Sequence, residues 1–530
     1  MNDMTWTVDQ IRRAEAVLLE REAFPDELMQ SAAEAVANVA HAMMTELPAG
    51  SEGARSRIVI LAGPGGNGGD GLYAGARLAM DGHDVAVHLT AGSAHTRALQ
   101  AFRKAGGKVL DSAPDMIWEY DLAIDAITGI GGTAGLREEY AELVEDLTFP
   151  DLRVLSVDVP SGIDADTGEG GDLHVTADAT VTFGGWRRAH VLNPACGDQL
   201  RVDISAGGTT LEQVLADMSD EGELGDTLMV LASRAVNGDF ASTAYAHPLP
   251  TMMADPIEPG PGDDKYSGGV VGIRAGSDAY PGAPILCTTA AVNATPAMVR
   301  YAGPQALEVV RANPEVVATD TLQDAGRVQA WVFGPGAGTG DKAAAELRWL
   351  LEQKEPLLID ADGISLLASH PDLREVIQQR PHPTVLTPHD GEFARLYDAA
   401  GLASAGTADT ARLDQTLRLA SELRCFIVRK GRVTLICTPD ADDYCFAVDA
   451  GHSWAATPGS GDVLSGLIGA RLARAADPDE SPEEIADILA QSVTIHAVAA
   501  KLASMTPFGS AAAPASRIAE FIRPATADLT

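Results

Sequence analysis

The chain is short of positive charge, of paired cysteines and of long apolar runs, and each shortage closes off a class of function. Lys and Arg number 38 against 75 Asp and Glu, a formal net charge of −37 over 530 residues. Such a field repels nucleic acid and anionic membranes except where local basic groups overrule it. A phosphate-bearing ligand must then be held by backbone N–H groups, helix N-termini, cations or a few placed Arg and Lys. The plainer reading of the acidity is a solvated surface. The five cysteines (Cys196, Cys287, Cys425, Cys437, Cys445) include no Cys-x-x-Cys pair. They read as reduced core thiols, not as a disulfide framework or a zinc site. The N-terminus carries acids, with no basic region leading into an apolar core, so no signal peptide is expected. No uninterrupted apolar run reaches bilayer length. The expectation is a cytoplasmic protein with neither nucleic acid nor membrane as partner, and with no fixed-period repeat.

What is present is enough chain for two domains, with apolar residues at an ordinary 46%. Thr7 and Gln10 have capping-box spacing ahead of Ile11, Ala14 and Leu18, which predicts an opening helix; a small-residue helix follows from Leu28. Arg57-Ile-Val-Ile-Leu-Ala reads as a buried strand entering the loop Gly63-Pro-Gly-Gly-Asn-Gly-Gly-Asp-Gly. A helix from about Leu72 to Met80 and a strand at Val85-Ala-Val-His-Leu complete a βαβ unit. Short apolar strands at Leu122, Val154 and Ala179 continue the alternation, which implies a mostly parallel sheet covered on both faces. Between about 205 and 265 the pattern dissolves into Gly, Asp, Pro and Met. It restarts with strands at Val270, Ala330, Pro356, Thr384 and Cys425 and a helix from about Pro284. The expected domains are 1–215 and 225–530, both α/β.

The first glycine loop fits G-x-G-x-x-G at Gly63, Gly65 and Gly68, yet no acid ends the next strand and no Lys-Ser or Lys-Thr closes a P-loop. A tight strand-to-helix turn would explain the glycines alone. Asn67 and Asp70 add polar groups that a turn does not need. Backbone N–H groups at a helix start hold phosphate, and Asp70 is expected to face a sugar hydroxyl or a cation. Two further clusters, Asp125-Ala-Ile-Thr-Gly-Ile-Gly-Gly-Thr-Ala-Gly and Asp158-Val-Pro-Ser-Gly-Ile-Asp, stand at strand ends. Ligands of parallel sheets bind beyond those ends. Asn67, Asp125, Asp158 and Ser161 would converge on one pocket whose oxygens suit a hard cation better than zinc.

In the second half, Gly459-Ser-Gly-Asp462 opens a helix at Val463-Leu-Ser-Gly. N–H groups at such a start stabilise charge on a transferring phosphoryl group, and Asp462 is placed to take the proton of an attacking hydroxyl. Lys265-Tyr-Ser-Gly-Gly-Val, Ala275-Gly-Ser-Asp-Ala-Tyr-Pro-Gly-Ala, Gly334-Pro-Gly-Ala-Gly, Leu386-Thr-Pro-His-Asp-Gly-Glu and Lys430-Gly-Arg-Val-Thr precede it.

In their order, the motifs of residues 10–205 resemble the YjeF N-terminal family, the NAD(P)H-hydrate epimerases. Those of 260–520 resemble the ADP-dependent NAD(P)H-hydrate dehydratases of the ribokinase superfamily. The resemblance implies a Rossmann-like three-layer α/β/α sandwich followed by a ribokinase-like α/β domain. It implies potassium on Asn67, Asp125 and Ser161. Hydrated nucleotide would lie against Gly66, Asn67, Gly68, Gly69 and Asp70, against Gly129, Ile130, Gly131, Gly132, Thr133, Ala134 and Gly135, and against Asp158, the candidate for moving the proton. In the second domain Ala283, Gly338, His389 and Asp462 would meet the hydrate. Lys430, Gly431, Arg432, Val433, Thr434 and Gly461 would contact the adenine nucleotide, with Asp462 as base and ADP with Mg2+ as phosphoryl donor. Substrates would be hydrated NADH and NADPH, and a homo-oligomer is expected. The chain departs from the pattern at Gly66, where a second Asn is usual, in the loop ending at Gly135, which lacks the usual Arg, and at His452-Ser-Trp-Ala-Ala. Two other readings stay open: a second half that is a sugar or vitamin-alcohol kinase, and a first half that is a nucleotide-binding interaction module.

Overall fold

The computed structural model describes residues 3–45, 56–114, 116–225, 228–238, 246–295, 298–403, 411–439, 444–475 and 481–530. The chain divides into two compact units, Met1–Ala232 with Asn237–Pro250, and Ser233–Val236 with Thr251–Thr530. Helix Leu211–Asp220, capped by Thr210, and strand His247–Pro248 therefore belong to the first unit, and a cut at 215 runs through that helix.

The first sheet runs in the order His247–Pro248, Asp198–Val202, Ala179–Phe183, Arg153–Val157, Leu122–Ala126, Arg57–Ala62, Asp84–Leu89, Lys108–Val109. Every pairing is parallel except that of His247–Pro248 with Asp198–Val202. Side chains alternate across a strand, and the strand Arg57–Ala62 shows the consequence. Ile58, Ile60 and Ala62 enter one apolar cluster with helices Glu27–Thr45 and Gly66–Met80, whereas Val59 and Leu61 enter another with Leu143, Val144 and Leu147. Two clusters on opposite faces make three layers. The opening helix Val8–Leu19 has the expected capping box of Thr7 and Gln10. The helix expected from Leu72 begins earlier, at Gly66, so the polar residues of the glycine loop occupy its first turns.

In the second unit the sheet passes from Tyr444–Asp449 through Val433–Cys437, Phe426–Arg429, Thr384–Leu386, Leu357–Ile359, Ala330–Phe333, Val270–Arg274 and Met298–Ala302 to Val317–Thr319. The first three strands are antiparallel and the rest parallel. Helices Ala283–Ala294, Ser460–Ala475 and Ala515–Asp528 pack on one another. Helix Pro482–Ser504 is long and apolar enough to cross a membrane, but it is mostly buried inside the protein. All five cysteines are buried and unbridged; Cys437 and Cys445 face each other in register, sulfurs 3.1 Å apart.

Candidate active sites

In the first unit the three polar clusters meet where the parallel strands end. Gly68 lets the helix start close on the strand end, since a Cβ there would lie 1.9 Å from the Gly63 carbonyl oxygen. Asn67 then donates its Nδ2 to the Thr128 carbonyl at 3.0 Å. The Ser161 hydroxyl donates to Asp125 Oδ1 at 2.6 Å and accepts the Thr128 N–H at 3.0 Å. Asp125 is fully buried. Burial raises its pKa, against the opposing pull of donors from Ser161, Ser156 and the Ile127 backbone. No Lys, Arg or His pairs with it among the described residues. Asn67, Asp125 and Ser161 are thus one connected network around the Thr128 carbonyl.

Asp158 stands beside that network in a left-handed conformation, φ 67°. Few residues other than glycine hold this region, Asp among the readiest to, and such conformations gather at functional positions. Its Oδ1 accepts from Thr182 at 2.9 Å and from the wholly buried Arg187 at 3.2 Å. His190 donates Nε2–H to the Asp158 carbonyl at 2.6 Å and accepts the Arg187 N–H on Nδ1 at 2.9 Å. Burial drops the His190 pKa to about 4, so it is neutral and structural. Asp70 is pushed well above the usual carboxylate range by burial, then by the charges of Asp158 and Glu15. Glu15 is raised too, chiefly by burial and against the pull of Arg187. Glu15 and Arg187 were not foreseen, because neither belongs to a glycine-rich strand end; Thr128 lies inside the Asp125–Gly135 cluster but serves through its backbone. Arg12 reaches the loop as well: a Cβ on Gly131 would meet its Nη2 at 2.9 Å.

In the second unit the turn at Gly459 opens helix Ser460–Ala475, as its sequence implies. Beneath it lies a network that joins Lys430 and Ser465, both within sequence motifs, to Asp360, which no motif marked. Asp360, at the carboxyl end of strand Leu357–Ile359 and 1% exposed, accepts Lys430 Nζ at 2.7 Å and the Ser465 hydroxyl at 2.7 Å. Gly461 leaves room for this packing, since a Cβ there would sit 3.3 Å from Lys430 Nζ and press the lysine end away. Burial first, then the Asp360 charge, pushes Asp462 up to about 7, with Lys430 pulling the other way and Asp362 adding to the rise. A cavity of about 590 Å³ beside the turn is lined by His389, Lys430, Gly431, Arg432, Thr434 and Gly461 among others. Ala283, Gly338, Val433 and Asp462 do not line it. Gly338 instead donates its N–H to Asp362 at 2.8 Å, linking it to the Asp462 side of the turn. His389 caps helix Asp390–Ala399, its Nδ1 accepting from the N–H groups of Gly391 and Glu392, and its ring is more exposed than a core histidine's. His452 and His496 form part of the wall, both held neutral by burial, with pKa values near about 4. An Asp ending a parallel strand was the available signal for Asp360.

Comparison with known proteins gives a family for each half of the chain. The model of the NAD(P)H-hydrate dehydratase family matches residues 271–523, and that of the YjeF-related protein N-terminus matches 25–189. The bifunctional NAD(P)H-hydrate repair enzyme of Corynebacterium glutamicum is 46% identical, over 98% of both chains. That of Mycobacterium leprae is 40% identical over 99% of both. Among solved structures, the ADP/ATP-dependent NAD(P)H-hydrate dehydratase of Bacillus subtilis is similar at 22% identity and TM-score 0.42, covering 52% of this chain and 94% of that one. A ribokinase-like superfamily protein of Enterococcus faecalis is similar at 21% identity and TM-score 0.42, covering 52% and 92%. The chain belongs to the bifunctional NAD(P)H-hydrate repair enzymes, with an epimerase domain of the YjeF N-terminal type ahead of a dehydratase domain.

Proposed function

We propose that the first domain interconverts the R and S hydrates at Asp70 and Asp158, and that the second removes water from the S form at Asp462. The observation that carries the second assignment is the Lys430–Asp360–Ser465 network under the Gly461-Asp462 turn. Asp462, raised to about 7, is a base whose pKa lies near working pH, where proton transfer is most effective. It takes the proton of the C6 hydroxyl as that oxygen bonds to the terminal phosphorus of ADP and the bond from phosphorus to the bridging oxygen breaks, releasing AMP. Phosphate then leaves C6, a proton leaves C5, and the ring double bond of NAD(P)H returns. Lys430 and the N–H groups at the helix start balance charge on the transferring group. Mg2+ fits as an ion carried mainly by the donor's phosphates and water, with the negative charge of the Asp360 and Asp462 region favouring a cation there.

In the first domain, the Thr128 carbonyl, the Ser161 hydroxyl, the Asn67 amide and the single carboxylate of Asp125 fit potassium. No cluster of three His, Cys, Asp or Glu able to hold a metal occurs among the described residues. A cation there would neutralise a buried carboxylate that lacks a cationic partner. The hydrate would lie over Gly66–Asp70 and Gly129–Gly135. A homo-oligomer in the cytoplasm belongs to the same proposal, and the unbridged thiols suit a reducing compartment. The test is to incubate mixed hydrate epimers with ADP and magnesium while following dihydronicotinamide absorbance. Full recovery with AMP and free phosphate is expected; a stable phosphorylated product would instead mark a small-molecule kinase.

A further inference from the structure

The parallel strands of the second unit have a second open end. The catalytic turn lies beyond their carboxyl ends, where Asp360 follows Ile359. A cavity of about 830 Å³ lies at their amino ends, reached by Gln329, Pro356, Thr384 and Phe426, each at or just before the start of a strand. In a chain of net charge −37 its lining among the described residues is mostly basic: Arg327, Lys354, Arg380, His382 and Arg424, beside the acid Glu355. Four of these are exposed around the cavity, while Arg380 is buried. Arg380 is held by neutral oxygens only. It donates to the carbonyls of Leu351, Gln353, Glu355, His382 and Pro383 and to the Thr384 hydroxyl. Burial lowers its pKa to about 10, which leaves it charged at neutral pH. A buried cation whose bonds all go to neutral groups favours an anion nearby.

Arg424 adds an independent observation. It ends helix Arg412–Leu423 in the left-handed region, φ 53°, where glycine would be unstrained. A long cation is held there at a conformational cost, at the cavity. Val328, Phe426 and Ile485 supply an apolar part of the lining. The volume is that of a cofactor site.

We infer that this cavity is a second, non-catalytic site for an adenosine pyrophosphate group, the adenine against the apolar part of the lining and the phosphates among Arg327, Lys354 and Arg424. That chemistry is common to ADP or ATP and to the pyridine dinucleotides. The inference stands apart from the dehydratase assignment, because no residue of the cavity belongs to the catalytic turn.

The test is equilibrium dialysis of the full chain with labelled ADP and, separately, with NADPH. It compares the wild type, the triple reversal Arg327→Glu/Lys354→Glu/Arg424→Glu, and Arg424→Gly, which removes charge while relieving strain. Wild type is expected to bind one equivalent of at least one ligand more than the triple variant does, and the arm that shows it names the source. Arg424→Gly should weaken that equivalent about tenfold, the loss of a charged hydrogen bond. Dehydratase kcat and the KM for ADP should stay at wild-type values in both variants. Equal stoichiometry and affinity in all three chains, for both ligands, would overturn the site, as would loss in Arg424→Gly that tracks loss of kcat.

Discussion

Each domain withdraws a carboxylate from water at the end of a parallel strand or at a helix-opening turn, Asp125 completely and Asp462 in part, and the two are treated in opposite ways. Asp125 is raised by burial but wrapped by hydroxyl and backbone N–H donors that pull the other way and favour its ionised form. Asp462 receives no hydrogen bond among the described residues, and neighbouring Asp360 and Asp362 raise it further, to about 7. A carboxylate clothed in donors stays an anion and suits a fixed cation. One starved of donors and facing like charge exchanges its proton near neutrality. The difference is one of solvation rather than residue type, so the two sites should respond differently to the same Asp→Asn change.

The largest effect is expected at Asp462. Asp462→Asn should lower NAD(P)H recovery by about 10²–10⁴-fold, the usual cost of a positioned base, while leaving R/S exchange at its wild-type rate. Stability should move the other way. The native pKa lies above the ordinary value of 3.8, so the ionised group destabilises the fold above about pH 7 and has no such effect below about 4. The Asn variant should therefore gain on the order of 1–3 kcal/mol at pH 8, and the gain should fade on acidification. Wild-type dehydration by the variant would collapse the comparison. Next in size, Asp125→Asn should lower epimerisation about 10–100-fold, as loss of a ligand-holding contact does. It should also erase any preference for potassium over a bulky organic cation. Equal rates in both cations for the wild-type chain would remove the cation from the first site.

A smaller effect sharpens the electrostatic half of the contrast. Because Asp462 must be ionised to act as base, dehydratase kcat/KM should fall about tenfold per pH unit below 7 and level off above it. Asp362→Asn keeps an oxygen for the Gly338 N–H but removes a charge that raises Asp462. The inflection should then move to lower pH. An inflection that stays put would assign the shift to burial and the Asp360 charge.

How much of this was legible follows from where the chemistry is written. Asn67, Asp125, Ser161 and the Gly461-Asp462 turn sit in glycine-rich strand ends, where local backbone demands and polar groups coincide in one short segment. Glu15, Arg187 and Asp360 act through partners about 140, 30 and 70–105 positions away, and no window of sequence joins them. Strand order was legible only as alternation. Met298–Ala302 and Val317–Thr319 lie at the sheet's far end, short and partly exposed, and their pattern is too weak to announce a strand. His389 lies at the cavity, whereas Ala283 and Gly338, expected beside it, do not, and its capping role depends on tertiary geometry.

The last prediction concerns the first domain alone and should scarcely change rates. A chain ended at 215 was the natural choice from composition, but it stops midway through helix Leu211–Asp220. It also discards Glu223 and Leu224. Gln10 Nε2 donates to the Leu224 carbonyl at 3.4 Å, and Arg13 donates to the Glu223 and Leu224 carbonyls at 2.8 and 3.2 Å. Leu224 itself is buried in the apolar cluster that holds Ile11 and Leu18. These contacts anchor the opening helix, which carries Arg12 and Glu15 to the site. Burying one leucine contributes about 1.5–3 kcal/mol, and each net hydrogen bond about 1, part of which exposed Arg13 forfeits to solvent. A chain ended at 225 should thus unfold at higher urea than one ended at 215, by about 2–4 kcal/mol in free energy. At 25 °C both, where folded, should epimerise within about twofold of each other, since the truncation leaves Asp70, Asp158 and Asn67 in place. Identical urea midpoints would mean that the opening helix is anchored by its contacts with the sheet layer, and that residues 216–225 are a tether.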